Sequence, residues 1–126
     1  MRAMGKTTAG AATAGVLMTT MLSGTAVADS PTITVSGGQC AGKWQSGYNR
    51  FWIEDRDVQD SDYCYIRYGW ASGDGNTVGR FNHPQDSKDR GYYPVNVSGH
   101  STIWWKLCKE RQNDPDICTS YRQDVT

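Results

Sequence analysis

The sequence predicts an all-β fold, a small antiparallel β-sandwich or barrel of six to seven strands with two disulfides. Three observations lead to this fold class. The large apolar residues beyond residue 28 are mainly Ile, Val, Trp and Tyr, which favour strands, and only one Leu is present. Turn-forming clusters separate short alternating segments about every 8–12 residues. Four cysteines form an even set, which indicates a disulfide framework in a small exported chain.

Residues 1–28 have the organisation of a secretory signal peptide. Arg2 and Lys6 give a positive start, an apolar run covers residues 9–21, and Ala26-Val27-Ala28 matches the small-residue cleavage pattern. The run is too short, and too often interrupted by Thr and Gly, to cross a membrane as a helix. The sequence therefore predicts a secreted, extracellular protein with no membrane span.

Cleavage after Ala28 changes the charge balance of the chain. Two of the 13 basic residues lie in the signal segment and none of the 13 acidic ones does, so residues 29–126 carry a net charge of −2. Domains that bind nucleic acids are usually basic, because they neutralise phosphates. We therefore expect no nucleic-acid partner.

Residues 29–39 are predicted to form a flexible or extended segment before a disulfide-bonded β-domain at 40–126. Ile33 and Val35 alternate with polar residues, and Gly37-Gly38 separates them from Cys40. One interpretation is a strand offered to the cleft or open sheet edge of a partner, which makes Ile33 and Val35 candidate binding residues. The alternatives are an ordinary first strand or a frayed terminus.

The predicted strands are short, and their side chains alternate between two faces. Ile103, Trp105 and Leu107 share one face of a strand, whereas Phe51 and Ile53 share a face of another. Pro94 favours an edge position for its strand, because it cannot donate a ladder hydrogen bond. The predicted segments are 32–36, 48–54, 63–70, 78–81, 92–97, 102–109 and 117–122.

The four cysteines are expected to pair as Cys40–Cys64 and Cys108–Cys118, one of three possible connectivities. Asn113-Asp114-Pro115 forms a turn signal between the second pair, and nearby cysteines close a loop at low entropic cost.

Zinc and redox motifs are absent, since no Cys-x-x-Cys pair exists. The acidic run at 55–62 lacks the glycine and closing glutamate of a calcium loop. We expect no metal and no cofactor.

Two histidines, His83 and His100, are the candidate acid and base of a hydrolase. Both fall in predicted loops, and the sequence contains no recognisable nucleophile motif. We therefore expect no enzymatic activity and no catalytic residue.

Aromatic residues in the strands are the candidate binding residues. Neighbours along a strand point to opposite faces, so Trp104-Trp105 and Tyr92-Tyr93 each place one ring outward, as does Trp52 next to Phe51. Exposed aromatic clusters are typical of surfaces that bind proteins or sugars. The alternative is an aromatic core covered on both faces. The candidates are Trp52, Tyr92 and Trp104.

The end of the chain, from Ile103-Trp104-Trp105-Lys106-Leu107-Cys108 to Asp116-Ile117-Cys118-Thr119-Ser120-Tyr121, resembles the ending of many small exported proteins of actinobacteria. In these proteins a strand and a cysteine precede a short acidic loop and a second cysteine followed by Ser or Thr and an aromatic residue. Some of that group are adaptor subunits of umbrella-type secreted toxin particles. The resemblance implies a subunit of an extracellular antibacterial toxin complex that acts in competition between bacteria.

The size and the two disulfides are also similar to those of small secreted α-amylase inhibitors. Their Trp-Arg-Tyr turn is absent, and the nearest string is Arg67-Tyr68-Gly69-Trp70. The expected function is that of a secreted, non-enzymatic domain that binds another secreted protein. The alternatives are an inhibitor of a hydrolase (a protease or an amylase) and a carbohydrate-binding or cell-wall-binding module, for which the partner is a glycan.

Overall fold

The computed structural model describes residues 28–57, 62–84 and 90–126, and these form two antiparallel β-sheets. The predicted signal peptide at 1–28 lies outside the described residues except for Ala28. A 3₁₀ turn spans Asp74–Asn76, and the described residues contain no α-helix. The strands are β1 (Ile33–Thr34), β2 (Cys40–Gln45), β3 (Arg50–Asp55), β4 (Tyr63–Gly69), β5 (Thr77–His83), β6 (Arg90–Pro94), β7 (Thr102–Glu110), β8 (Ile117–Cys118) and β9 (Arg122–Val125).

The two sheets pack face to face around one core. Sheet A has the order β1-β2-β3-β6, and sheet B has the order β5-β4-β7-β8, with β9 also paired to β7. The predicted all-β class is confirmed, with nine short strands among the described residues in place of six to seven. The additional strands are β2, which was not predicted, and β9, which the prediction merged with β8.

The sequence did not predict β2, because small residues occupy part of this strand. A Cβ at Gly42 would lie 3.3 Å from Leu107 Cδ1 and from the Trp52 carbonyl oxygen, closer than an ordinary contact, so a larger residue would have to displace its neighbours slightly. Ala41, next to it, is also buried. A strand with Ala and Gly in its middle lacks the β-branched and aromatic residues that identify strands in a sequence.

Aromatic rings from both sheets meet in the core. The ring centroid of Phe51 lies 4.8 Å from that of Trp44 in its own sheet and 5.3 Å from that of Trp105 in sheet B. Tilted contacts at these distances are favourable, because the edge of one ring meets the face of the next. The two predicted inward faces are confirmed by complete burial of their residues: Phe51, Ile53, Ile103, Trp105 and Leu107.

Both predicted disulfides are present, and they have different positions in the fold. Cys40–Cys64 joins β2 of sheet A to β4 of sheet B. Cys108–Cys118 joins two residues that face each other on the neighbouring strands β7 and β8. The first disulfide therefore links the two sheets, whereas the second reinforces one edge of sheet B.

The N-terminal segment belongs to the sheet of its own domain. Ile33 and Thr34 pair with β2, and Val35 is 2% exposed in the core. Ser30 N–H donates to the carbonyl oxygen of Trp44 at 2.9 Å, and Trp44 N–H donates to Ser30 Oγ at 2.8 Å. Residues before Cys40 therefore form part of sheet A, and Val35 packs into the core of its own domain. Ile33 is half-buried on the edge strand, and contact of this segment with a partner stays a prediction.

The double glycine has a local cause in a tight turn between β1 and β2. Gly37 has a φ of 95° and Gly38 a φ of 74°, a region that residues with a Cβ rarely adopt. Gly38 N–H donates to Val35 O at 2.9 Å, and Val35 N–H donates to Cys40 O at 3.1 Å. The glycines therefore return the chain onto β2.

A candidate binding face on sheet A

Five side chains on the outer side of sheet A form the sheet A face: Lys43, Tyr48, Arg50, Trp52 and Tyr92. The strand register places Lys43 opposite Trp52, and Trp52 opposite Tyr92. Arg50 lies one row further along, between Gln45 and Pro94. Because residues two apart on a strand share a face, Arg50 and Trp52 both point away from the core.

The hairpin between β2 and β3 brings Tyr48 to this face. Tyr48 N–H donates to Gln45 O at 3.1 Å, and Asn49 closes the turn with a φ of 49°. Asn is one of the few residues with a side chain that enters this left-handed region readily. Val95 N–H donates to Asn49 O at 2.9 Å, which attaches the turn to the chain that follows β6.

Arg50 is held between two tyrosine rings. Its guanidinium carbon lies 4.3 Å from the ring centroid of Tyr48 and 4.2 Å from that of Tyr92. Arg50 Nε donates to Gln45 Oε1 at 2.7 Å. Both tyrosines are accessible, with Tyr48 67% exposed and Tyr92 48% exposed. The arginine is therefore positioned by its neighbours and still faces solvent.

Trp52 extends this aromatic surface towards β2. Its side chain is half-buried, and Lys43 Nζ lies 5.5 Å from its ring centroid. Tyr92 sits directly across from it on β6. The structure thus brings together two of the predicted binding residues, Trp52 and Tyr92.

The outer side of sheet A carries excess positive charge. Glu54 is its single carboxylate among the outward residues of β2, β3 and β6, and it faces Arg56 at 2.7 Å and Arg90 at 3.8 Å. Lys43 and Arg50 add two further cations. Since residues 29–126 have a net charge of −2, the positive charge is concentrated here against the overall balance.

Trp104, the third predicted aromatic residue, lies on the opposite side of the molecule. It is half-buried on the outer side of sheet B, between Gly69 of β4 and Gln123 of β9. It therefore cannot act together with Trp52 and Tyr92 in one patch.

Cations also line up across sheet B, where Arg67 lies between Arg80 and Lys106 on adjacent strands. Arg80 stacks on Tyr65, with 3.5 Å between guanidinium carbon and ring centroid, and Lys106 Nζ pairs with an Asp74 carboxylate oxygen at 2.6 Å. Burial raises the pKa of Tyr65 well above its usual value, and its hydrogen bond to Asp116 adds to the effect. Two of the three cations thus already have partners in the structure.

The two histidines lie at opposite ends of β4. His83 ends β5, opposite Cys64, and is buried with its Nδ1 2.8 Å from the Tyr93 hydroxyl. The expectation of a loop position for His83 was wrong, because β5 extends further than its sequence indicates. His100 is exposed and stacks on Trp70, which follows β4. Cys64 and Trp70 are about 20 Å apart at ~3.3 Å per residue, so the histidines do not form a pair.

The described residues contain neither a metal-binding cluster nor a membrane-spanning helix. Within 28–57, 62–84 and 90–126, no group of three His, Cys, Asp or Glu side chains is arranged to hold a metal ion. Asp60 of the acidic run lies outside these ranges. No helix in the same ranges is long and apolar enough to cross a membrane.

Sequence reasoning missed Tyr48, Arg50 and Lys43 as members of the face. The alternation of Tyr48, Arg50 and Trp52 in the predicted strand at 48–54 was a usable signal for the first two. Lys43 had no such signal, because β2 was not predicted. Proximity of Tyr48 to Tyr92 depends on the pairing of β3 with β6, which are separated by two strands in sequence.

Comparison with known proteins identified no relative of this chain, so the function is inferred from the sheet A face. No family model, no curated protein and no solved structure matches this chain.

Proposed function

We propose that this protein is a secreted, non-enzymatic domain that binds another secreted protein through the sheet A face. The observation that carries the proposal is Arg50 held between the exposed rings of Tyr48 and Tyr92. Arg, Tyr and Trp are the residues that most often dominate the binding energy of protein interfaces. All three types meet here within one patch.

The rigidity of this face supports a binding role. Arg50, Trp52 and Tyr92 lie on paired strands, and the Tyr48 turn is attached by backbone hydrogen bonds. Binding is less costly when the side chains at the interface are already ordered, because less conformational entropy is lost on association. A face built on a disulfide-bonded sandwich therefore suits a binding protein.

The extracellular location is part of the proposal. Two disulfides support it, because such bonds persist in oxidising compartments, and the signal-peptide pattern at 1–28 is consistent with export. The resemblance of residues 103–121 to exported actinobacterial proteins suggests an adaptor subunit of a secreted antibacterial toxin complex. An inhibitor of a hydrolase would be a protein-binding domain of the same kind, with an enzyme as its partner.

A carbohydrate-binding or cell-wall-binding module is the second candidate, supported by the exposed aromatic rings. Sugars stack on open ring faces, but cations already lie against all three rings. Arg50 covers one side of Tyr48 and of Tyr92, and Lys43 lies over Trp52. This arrangement favours a protein partner over a sugar.

Affinity capture from the native culture supernatant tests the proposal. The mature chain, its Tyr48→Ser/Tyr92→Ser variant and a Val78→Ser/Val125→Ser control are immobilised at equal density. The control removes two exposed apolar side chains from sheet B, 59% and 52% exposed. We expect the tyrosine variant to retain about a tenth or less of the protein captured by the wild type, since hot-spot truncations cost ~2 kcal/mol or more.

The control variant should capture the same protein as the wild type. Equal capture by the tyrosine variant would show that the sheet A face is not the docking surface. Binding of purified cell wall or soluble glycan, with no protein captured, would replace the proposal with the carbohydrate-binding alternative.

A further inference from the structure

We infer that Arg50 is a receptor for a single carboxylate, so that the partner inserts an Asp or Glu side chain between Tyr48 and Tyr92. This inference rests on the proposed function and names the chemistry that the partner must present. Its basis is the geometry of one guanidinium group and the charges around it.

The guanidinium of Arg50 is positioned and still has donors to offer. Two tyrosine rings flank it, and Gln45 accepts a hydrogen bond from Nε. Arginine has five N–H donors, so the four on its two terminal nitrogens remain, and the described residues provide no acceptor for them. Terminal nitrogens of arginine form parallel hydrogen bonds to the two oxygens of a carboxylate.

Arg50 forms no ion pair within the described part of the chain, and the Asp29 carboxylate near it is held by the Gln45 amide, whose Nε2 donates to Asp29 Oδ2 at 3.5 Å. The two tyrosine rings within 4.3 Å replace part of the water around the guanidinium, and a lower local dielectric strengthens an interaction with an incoming anion. Lys43, on the next row of the sheet, adds a positive charge that attracts an acidic partner. An anion is therefore the complementary ligand.

The surrounding charges favour one carboxylate over a polyanion. Arg56 and Arg90, the other arginines on this side of sheet A, share the carboxylate of Glu54. A polymer of phosphates gains affinity from a row of uncompensated cations, each of which neutralises one charge. Here a single guanidinium group lies between the rings of Tyr48 and Tyr92, and this arrangement suits one acidic side chain of a protein.

A titration followed by NMR tests the inference. The probe is the peptide acetyl-Gly-Glu-Gly-amide, and its glutamine analogue is the uncharged control. The reporters are the Arg50 Nε–H and Trp52 indole N–H signals of the mature, disulfide-bonded chain. We expect saturable binding of the glutamate peptide in the millimolar range, about fivefold or more tighter than that of the glutamine peptide.

Three variants distinguish the paired hydrogen bonds of the guanidinium group from the effect of its positive charge alone. Arg50→Lys keeps the positive charge but loses the two terminal guanidinium nitrogens, and it should bind the glutamate peptide no better than the glutamine peptide. Gln45→Leu frees Nε and should weaken binding severalfold without a change of charge. Arg56→Gln removes a cation that is paired with Glu54, and should stay within about twofold of wild type. Unchanged melting temperatures confirm that the variants are folded.

The inference would be overturned if wild type and Arg50→Lys bound the glutamate peptide equally well, or if no saturable binding were seen. It would also be overturned if Arg56→Gln lost as much affinity as Arg50→Lys. Inorganic tripolyphosphate is titrated as a second probe. If it bound more tightly than the glutamate peptide, and if substitutions of Lys43, Arg56 and Arg90 each weakened its binding, the face would be a polyanion site instead. In the affinity capture, Arg50→Lys should lose the partner. Retention by Arg50→Lys with loss in the tyrosine variant would reject the carboxylate and leave the docking face intact.

Discussion

Trp104 and Trp105 are adjacent in β7 and lie in different surroundings. Trp105 is fully buried between the sheets, and its indole Nε1 donates to Asp124 Oδ2 at 2.7 Å. Trp104 points to the outer side of sheet B and is half-buried. The alternation of a strand is enough to separate the two rings, because the Ile103 and Leu107 face is the one that meets sheet A.

Truncation of the two tryptophans should have unequal effects on stability. Trp105→Ala leaves a large cavity and removes the hydrogen bond to Asp124, so we expect it to lower the unfolding free energy by about 3–5 kcal/mol. Trp104→Ala should cost about 1 kcal/mol, a common value for a side chain that is not in the core. Urea denaturation followed by circular dichroism measures both. Equal losses would show that Trp104 contributes to the core as much as Trp105 does.

At the scale of the elements, the β1–β2 hairpin shows how the context of a segment decides its role. Two glycines with positive φ turn the chain, and Ser30 exchanges hydrogen bonds with Trp44 at its far end. These contacts attach residues 30–35 along β2. A segment that looks detachable in the sequence is therefore an edge strand of sheet A.

Deletion of residues 29–36 should destabilise the domain. The deletion removes the buried side chain of Val35 and the backbone pairing of Ile33 and Thr34. Burial of one Val side chain contributes roughly 1.5–3 kcal/mol, so we expect a loss of at least that size. Thermal unfolding of the shortened and full mature chains measures it, with Val35→Ala for comparison. An unchanged melting temperature would reinstate a segment that is free to bind a partner.

At the scale of the whole molecule, the two sheets are held together by the aromatic core and by one disulfide. Cys40–Cys64 closes a separation of 24 residues and crosses between the sheets, whereas Cys108–Cys118 closes 10 residues within sheet B. Trp44 Nε1 also donates to Val125 O at 2.9 Å, which connects β2 to β9. A small domain has little stability to spare, so such links between the sheets matter.

Removal of the disulfide between the sheets should cost more than removal of the other. Cys40→Ala/Cys64→Ala is expected to lower the unfolding free energy by roughly 3 kcal/mol, because the closed loop is longer and both cysteines are buried. Cys108→Ala/Cys118→Ala should cost less, since its loop is shorter and Cys118 is exposed. Guanidinium denaturation of both double variants under the same conditions measures the order. The reverse order would show that β8 is more important for stability than the link between the sheets.

Local patterns in the sequence were sufficient for the fold class, the disulfide pairing and the two inward faces. Each depends on neighbours: Phe51 and Ile53 alternate with polar residues, and Asn113-Asp114-Pro115 turns the chain between two cysteines. The same patterns failed at β2, where Gly42 packs closely against Leu107, a residue that is distant in sequence.

The sequence by itself determined that this is a small β-protein with two disulfides and that Trp52, Tyr92 and Trp104 point away from the core. Only the tertiary structure decided that the first two lie together and the third on the other sheet, and that Arg50 sits between two tyrosines. The physical reason is that alternation along a strand is a local property of period two, which determines the side of a sheet but not the neighbouring strand. The pairing of β3 with β6 across two intervening strands is non-local, and it creates the sheet A face.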